Sequence, residues 1–477
     1  MAQMSLQQAI EMGLAHHRAG RLRSAQEMYE QVLKYDPQNV DALHLLGVIA
    51  HDMGRVTESI DFINRAIAIN PNVAGMYYNL AEAHRAAGKW DLAATSLRRA
   101  IDLSPDYMEA WNNLSLALNQ IGQHQAAADA AQRAIELAPK EASPHNNLSN
   151  ALRHLDKTEQ SIEEALAAIE IKPNFPEALN NLGIGYAKQG RITEALVAYE
   201  RALKLRPNFP EAMSNLGAAL GKLGRFEQAA EFLQQAIRLK PDQPEAFHNL
   251  GSALRATGKL DQGMLCYEKA VALRPEFPEA YNNLGISLKE LARLDEAVKH
   301  LQRAIELRPD FADAYHNLGT TYKDQHKYDD AAEAIQKALS LDPEHVEALN
   351  ALGVVRMEQG RLDEAMDLMR SSLKLRKNWQ IHSNLCLLCN YHPGLTGIQV
   401  LDEHKRWDEE YCTNPQPPAP HENDRTGGRK LRIGYVSPDF RGHPVSHFLE
   451  PLLTERDKEN FEVYAYSQVA KPDMVTH

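Results

Sequence analysis

Prolines stand at Pro37, Pro71, Pro105, Pro139, Pro173, Pro207, Pro241, Pro275, Pro309 and Pro343, one every 34 residues. A residue that lacks the backbone N–H and clashes with the preceding turn stops a helix wherever it follows one. Seventeen residues before each stop runs a second series: Gly20, Gly54, Gly88, Gly122, Gly190, Gly224, Gly258 and Gly360, broken by Asp156, Ala292 and His326. Glycine takes the left-handed conformation that closes a helix at its C-terminus. Two stop signals per period specify two helices per period, in eleven units from residue 6 to about residue 379.

The unit 176–209 shows what the helices bury. Leu182, Gly183 and Tyr186 share a face of its first helix; Ala195, Tyr199 and Ala202, at i, i+4 and i+7, share a face of its second. Small residues such as Gly183 and Ala202 permit close approach. The period and the pattern L-G-x2-Y…A-x3-F…P resemble the tetratricopeptide repeat. Met12, Leu46, Leu80, Leu114, Leu148, Leu182, Leu216, Leu250, Leu284, Leu318 and Leu352 fill its leucine position. One unit cannot bury its apolar faces alone, so the expected fold is mostly α: a right-handed superhelix of about eleven stacked units with a long inner groove.

One position in these units is not explained by packing. Asn79, Asn113, Asn147, Asn181, Asn215, Asn249, Asn283 and Asn317 recur at the same step in eight consecutive units. Asparagine is a weak helix former and a poor core residue. It precedes the core leucine, which sets it on the groove side of the first helix. An amide both donates and accepts, so a ladder of amides suits the backbone of an extended polypeptide and reads little sequence. The alternative is that each asparagine bonds to the neighbouring unit and stiffens the stack. The flanking Asn112, Asn146, Asn180, Asn282 and Asn350, with His44, His248 and His316, include no Lys or Arg. A clamp for C-terminal carboxylates would place cations there.

Composition narrows the partners. The net charge is −12 with both signs interspersed, which argues against nucleic acid and against a membrane surface. The N-terminus lacks the basic start and apolar core of a signal peptide, and no run approaches the roughly 18 apolar residues of a spanning helix. Four cysteines in 477 residues do not build a disulfide framework, so a cytoplasmic setting is expected. His382, Cys386, Cys389 and His392 have metal-ligand spacing, but they lie in an apolar segment that continues the leucine pattern, so core packing is the expectation and no metal.

The pattern changes after the array. Lys377 replaces the expected proline, "WQIHSNLCLLCNYHPGL" continues as a half-repeat ending near His392, and Thr396 is placed to cap a further helix bearing Leu401, His404, Trp407 and Tyr411. The expected divisions are repeats over 6–379, junction helices over 380–412, a Pro- and Gly-rich linker over 413–429, and an α/β segment over 430–477. Within that segment Leu431–Ser437 and Phe461–Ser467 are expected strands, separated by a turn-rich loop and a helix. Loops at the carboxyl ends of such strands bind ligands, and Asp439, Arg441, His443 and His447 fall there.

"LRIGYVSPDFRGHPVSHFLEPLL" resembles the entry to the catalytic region of the protein O-linked N-acetylglucosamine transferases, and "ENFEVYAYS" is similar to the strand that follows. "HSNLCLLCNYHPGLTGIQVLDEHKRW" resembles the repeat-to-catalytic junction of bacterial members, and the asparagine series resembles the ladder that holds their acceptor polypeptide. The resemblance implies two Rossmann-like lobes and inverting transfer of a sugar from UDP-GlcNAc to Ser or Thr, with no other cofactor. It places His443 in the active-site cleft, with Asp439 and Arg441 in the same loop. Related plant enzymes of the Spindly type transfer fucose, so the donor sugar stays open. The family's diphosphate-neutralising groups lie in a lobe beyond residue 477, so the Rossmann-like segment is expected to be incomplete and this chain inactive by itself. The alternative is a non-catalytic scaffold that binds proteins.

Overall fold

The computed structural model of the protein describes residues 5–412, 431–437, 457, 459 and 461–467. Eleven helix pairs, α1 (Leu6–Arg18) and α2 (Leu22–Tyr35) through α21 (Val346–Glu358) and α22 (Leu362–Leu375), follow one another. The first helix of every pair has 13 residues and the second has 14. A half-repeat, α23 (Trp379–Tyr391), completes a compact unit that ends at Gly394.

The two stop signals act as their chemistry dictates. After α11 (Pro176–Lys188), Gly190 adopts φ +77°, its N–H bonds to Ala187 O and the Arg191 N–H reaches Tyr186 O. These are the paired bonds that satisfy the last carbonyls of a helix. Asp156, Ala292 and His326 take the same left-handed conformation, at φ 63°, 59° and 61°. At the other joint, Pro176, Pro210, Pro244 and Pro278 open their helices, where a missing N–H costs nothing. Glu177 and Arg206 pair across that joint, and Lys240 lies 2.9 Å from Glu211 one unit on. The Arg206 guanidinium also stacks over Phe209 at 4.8 Å.

The core is a string of overlapping clusters, as a stack of units requires. Each first helix packs on its partner second helix, each second helix packs on the next first helix, and successive first helices such as α7 and α9, or α13 and α15, also touch. No comparable contact joins successive second helices among the described residues, so the first helices line the inner side of the curve. From Leu46 to Leu352 the leucine position is buried throughout. Met12 is 43% exposed, because no described unit precedes it to cover that face.

Size matching holds the two helices of a unit together. A Cβ on Gly217 would stand 2.5 Å from Leu233 Cγ, and one on Gly183 would stand 2.5 Å from Tyr199 Cε1. Where this position carries the larger Ser115 or Ser149, the residue 16 places on shrinks to Ala131 or Ala165.

The second compact unit begins at Leu395. Thr396 caps α24 (Gly397–Tyr411) with a reciprocal bond to Gln399. Two strands, β1 (Leu431–Ser437) and β2 (Phe461–Ser467), pair in parallel and in register, Leu431 opposite Phe461 and Ser437 opposite Ser467. Parallel pairing is the kind found in α/β sheets rather than in hairpins.

Candidate functional site

Seven of the eight asparagines of the series bond to the preceding unit, forming a ladder along the first helices. Asn181 Nδ2 donates to Asn146 Oδ1, Asn215 Nδ2 to Asn180 Oδ1 and Asn317 Nδ2 to Asn282 Oδ1, at 2.9, 2.9 and 3.0 Å. Asn147 Nδ2 donates to Asn112 Oδ1 at 2.9 Å. Asn79 and Asn283 meet the Nε2 of His44 and His248, each at 2.8 Å. Burial holds both imidazoles below their ordinary pKa and so favours the neutral ring, whose bare nitrogen accepts. Asn113 donates to Tyr78 Oη at 3.1 Å and to Glu82 Oε1 at 2.9 Å. Asn249 is the exception: the residue 35 places before it is Ser214.

Sequence reasoning weighed a ligand-facing ladder against a stitch between units. The stitch is present, and at Asn181, Asn215 and Asn317 it uses one N–H of the amide. The second N–H remains, and among the described residues nothing donates to the Oδ1 of Asn181, Asn215 or Asn317. Each of these amides therefore keeps one donor and one acceptor in an orientation fixed by the preceding unit. The ladder stops at Ala351, which takes the next asparagine's place. At the flanking position beside it, the Asn350 Oδ1 is buried with no partner among the described residues.

One cleft of about 340 Å³ opens beside the ladder, lined by Arg153, Lys188, Tyr199, Asn215 and Lys222 with small apolar residues between them. Its cations occupy the last turns of three successive first helices. Sequence reasoning missed them because it inspected only the positions flanking the asparagines. Lys188 and Lys222, one period apart, were the signal.

The spacing of His382, Cys386, Cys389 and His392 gives a packed helix face. His382, Cys386 and Cys389 are buried, and His392 Nε2 lies 3.1 Å from Asp363 Oδ1. No group of three or more His, Cys, Asp or Glu among the described residues is arranged to hold a metal ion. Asp439, Arg441, His443 and His447 lie outside the described residues. No helix among the described residues is long and apolar enough to cross a membrane.

Comparison with known proteins agrees with this architecture. Models described as tetratricopeptide repeat match residues 10–74, 78–142, 142–175 and 316–378, and one described as TPR repeat matches segments between 185 and 326. The chain is thus a tetratricopeptide-repeat protein by both its helices and its sequence. Glycosyl transferase family 41 matches residues 411–476. Probable UDP-N-acetylglucosamine–peptide N-acetylglucosaminyltransferases named SPINDLY are similar: that of Hordeum vulgare is 36% identical over 93 residues and that of Solanum lycopersicum 34% over 94, each match covering 20% of this chain and 10% of the relative. A relative of the same description named SEC, from Arabidopsis thaliana, is 48% identical over 44 residues, 9% of this chain and 4% of that one. The region 411–476 is therefore similar to the opening of the glycosyltransferase region of O-GlcNAc transferase-type, repeat-bearing proteins. The chain matches about a tenth of the length of the curated SPINDLY relatives. A solved structure, the APC/C hetero-tetramer Cut9–Hcn1, aligns with TM-score 0.48 and 15% identity over 83% of this chain and 95% of that one.

Proposed function

We propose that the inner face of the array holds an extended polypeptide through its amide ladder and presents it for sugar transfer to Ser or Thr, by a family 41 region that opens at β1. The donor is UDP-GlcNAc, by analogy with the activity for which the relatives are named. Residues 6–379 are the selecting array, 380–412 the junction, 413–429 a linker and 430–477 the opening of the catalytic region, where His443 serves in the cleft with Asp439 and Arg441 in its loop.

The observation that carries this reading is the half-used amide. A ladder built only to stiffen the stack has no need of an unpaired carbonyl at Asn181, Asn215 and Asn317. An extended peptide backbone supplies alternating N–H and C=O groups that match one acceptor and one donor per rung. Orientation fixed before binding lowers the ordering cost of the complex.

The test is binding of a fluorescently labelled extended peptide to the full chain and to the variant Asn181→Ala, Asn215→Ala, Asn249→Ala, Asn283→Ala. At about 1 kcal/mol per lost bond, four substitutions weaken binding by more than about ten-fold, with helicity unchanged by circular dichroism. Lost helicity with unchanged binding assigns the ladder to stiffening alone.

A further inference from the structure

Arg153 is a cation with no ion-pair partner among the described residues. Its Nη2 donates to Asn150 Oδ1 and to His154 Nε2, each at 2.7 Å. Neither acceptor carries negative charge. His154 is held neutral, its pKa pushed down to about 4 by burial, by Arg153 and by the stacked ring of His124, 4.2 Å away. The Arg153 Nε is buried and has no partner.

The rest of the cleft adds positive charge and no negative charge. Lys222 and Lys188 line it, and no Asp or Glu does. Lys188 engages Asp156 at the rim, which leaves that carboxylate taken. Cations in the last turn of a helix also offset its dipole, and that accounts for Lys188 and Lys222. It does not account for a guanidinium withdrawn from water with an unmet donor, because an uncompensated buried charge is costly. In a chain of net charge −12, a cationic concavity beside the Asn215 rung is out of keeping with its surroundings.

We infer that this cleft is a subsite for an oxyanion-bearing side chain, carboxylate or phosphoryl, on the polypeptide that lies along the first helices. Arg153 and Lys222 supply the charge, and the free Asn215 N–H supplies a directed donor. The inference rests on the groove reading above. It adds a preference at one place along the guest, between the fifth and seventh units, where the backbone-gripping ladder reads none.

The test uses the full chain and labelled extended peptides of matched length: all neutral, with a central Glu pair, with a central phosphoserine, and with a central Lys pair. At low ionic strength the acidic peptides bind about ten-fold more tightly than the neutral one, the Lys peptide binds least, and added salt erases the difference. Arg153→Gln and Lys222→Gln each reduce the preference without changing the affinity for the neutral peptide; Lys34→Gln, an exposed charge elsewhere, leaves it intact. Lys222 is exposed, so its variant reads the site even where Arg153→Gln perturbs the fold. Phosphoserine exceeding Glu assigns the phosphoryl group; equality assigns the carboxylate. Equal affinity for neutral and acidic peptides overturns the subsite and leaves the groove standing. Failure of every peptide to bind overturns both.

Discussion

Asn181 Nδ2 lies 2.9 Å from the Oδ1 of Asn146, one repeat upstream. The bond fixes which way the Asn181 amide faces, so Asn146 governs binding without needing to touch a guest. Asn146→Ala is expected to weaken peptide binding two- to five-fold, whereas Asn146→Asp, which keeps the acceptor, retains most of it. Anisotropy titration measures both. Unchanged affinity in Asn146→Ala contradicts an orienting role.

The Gly217–Leu233 contact leaves no room for a methyl group. Gly217→Ala is expected to cost about 1–3 kcal/mol by overpacking. Leu233→Ala alone is expected to cost about 2–5 kcal/mol through the cavity it opens. Gly217→Ser combined with Leu233→Ala reproduces the pairing found at Ser149 and Ala165, so urea denaturation is expected to show a combined loss smaller than the sum of the two singles.

Ala292 sits at φ 59°, in the conformation its counterparts fill with glycine. A left-handed L-residue costs about 1–2 kcal/mol, part of which glycine returns through its looser unfolded chain. Ala292→Gly is therefore expected to raise stability by about 0.5–1 kcal/mol, read as a higher urea midpoint. A lower midpoint contradicts the assignment.

His316 has its pKa pushed down to about 4, first by burial and then by His345 and Lys289, against the opposing pull of Asp313 and Glu347. Between about pH 6.5 and 4 the unfolded chain holds a proton there that the folded chain does not. Stability is therefore expected to fall as the pH drops through this window, by an amount on the order of 3 kcal/mol at most. His316→Gln is expected to flatten that part of the profile. Parallel profiles for the two proteins contradict it.

Most of the architecture is written in periodic residues. A proline or glycine acts on its own backbone, so Pro173 and Gly190 announce their helix ends without any tertiary information. The strands at Leu431 and Phe461 were legible for a similar reason: β-rich runs bounded by turn residues. The ladder was legible as a recurrence but not as a bond, because the partner of Asn181 lies 35 residues away and takes its place only once units stack. The cleft was less legible still. Arg153, Lys188 and Lys222 are ordinary helix-terminal cations singly; what distinguishes them is that stacking gathers them in one cleft that no carboxylate lines.

The central claim is that a polypeptide lies along the first helices, and photo-crosslinking locates it most directly. An extended peptide carrying one diazirine side chain is bound to the full chain, irradiated, and the adducts are mapped by mass spectrometry. The account predicts adducts on first helices between α5 (Ala74–Ala86) and α19 (Ala312–Asp324), suppressed by excess unlabelled peptide. Adducts confined to the second helices, such as α12 (Ile192–Leu205) and α14 (Phe226–Leu239), would contradict it.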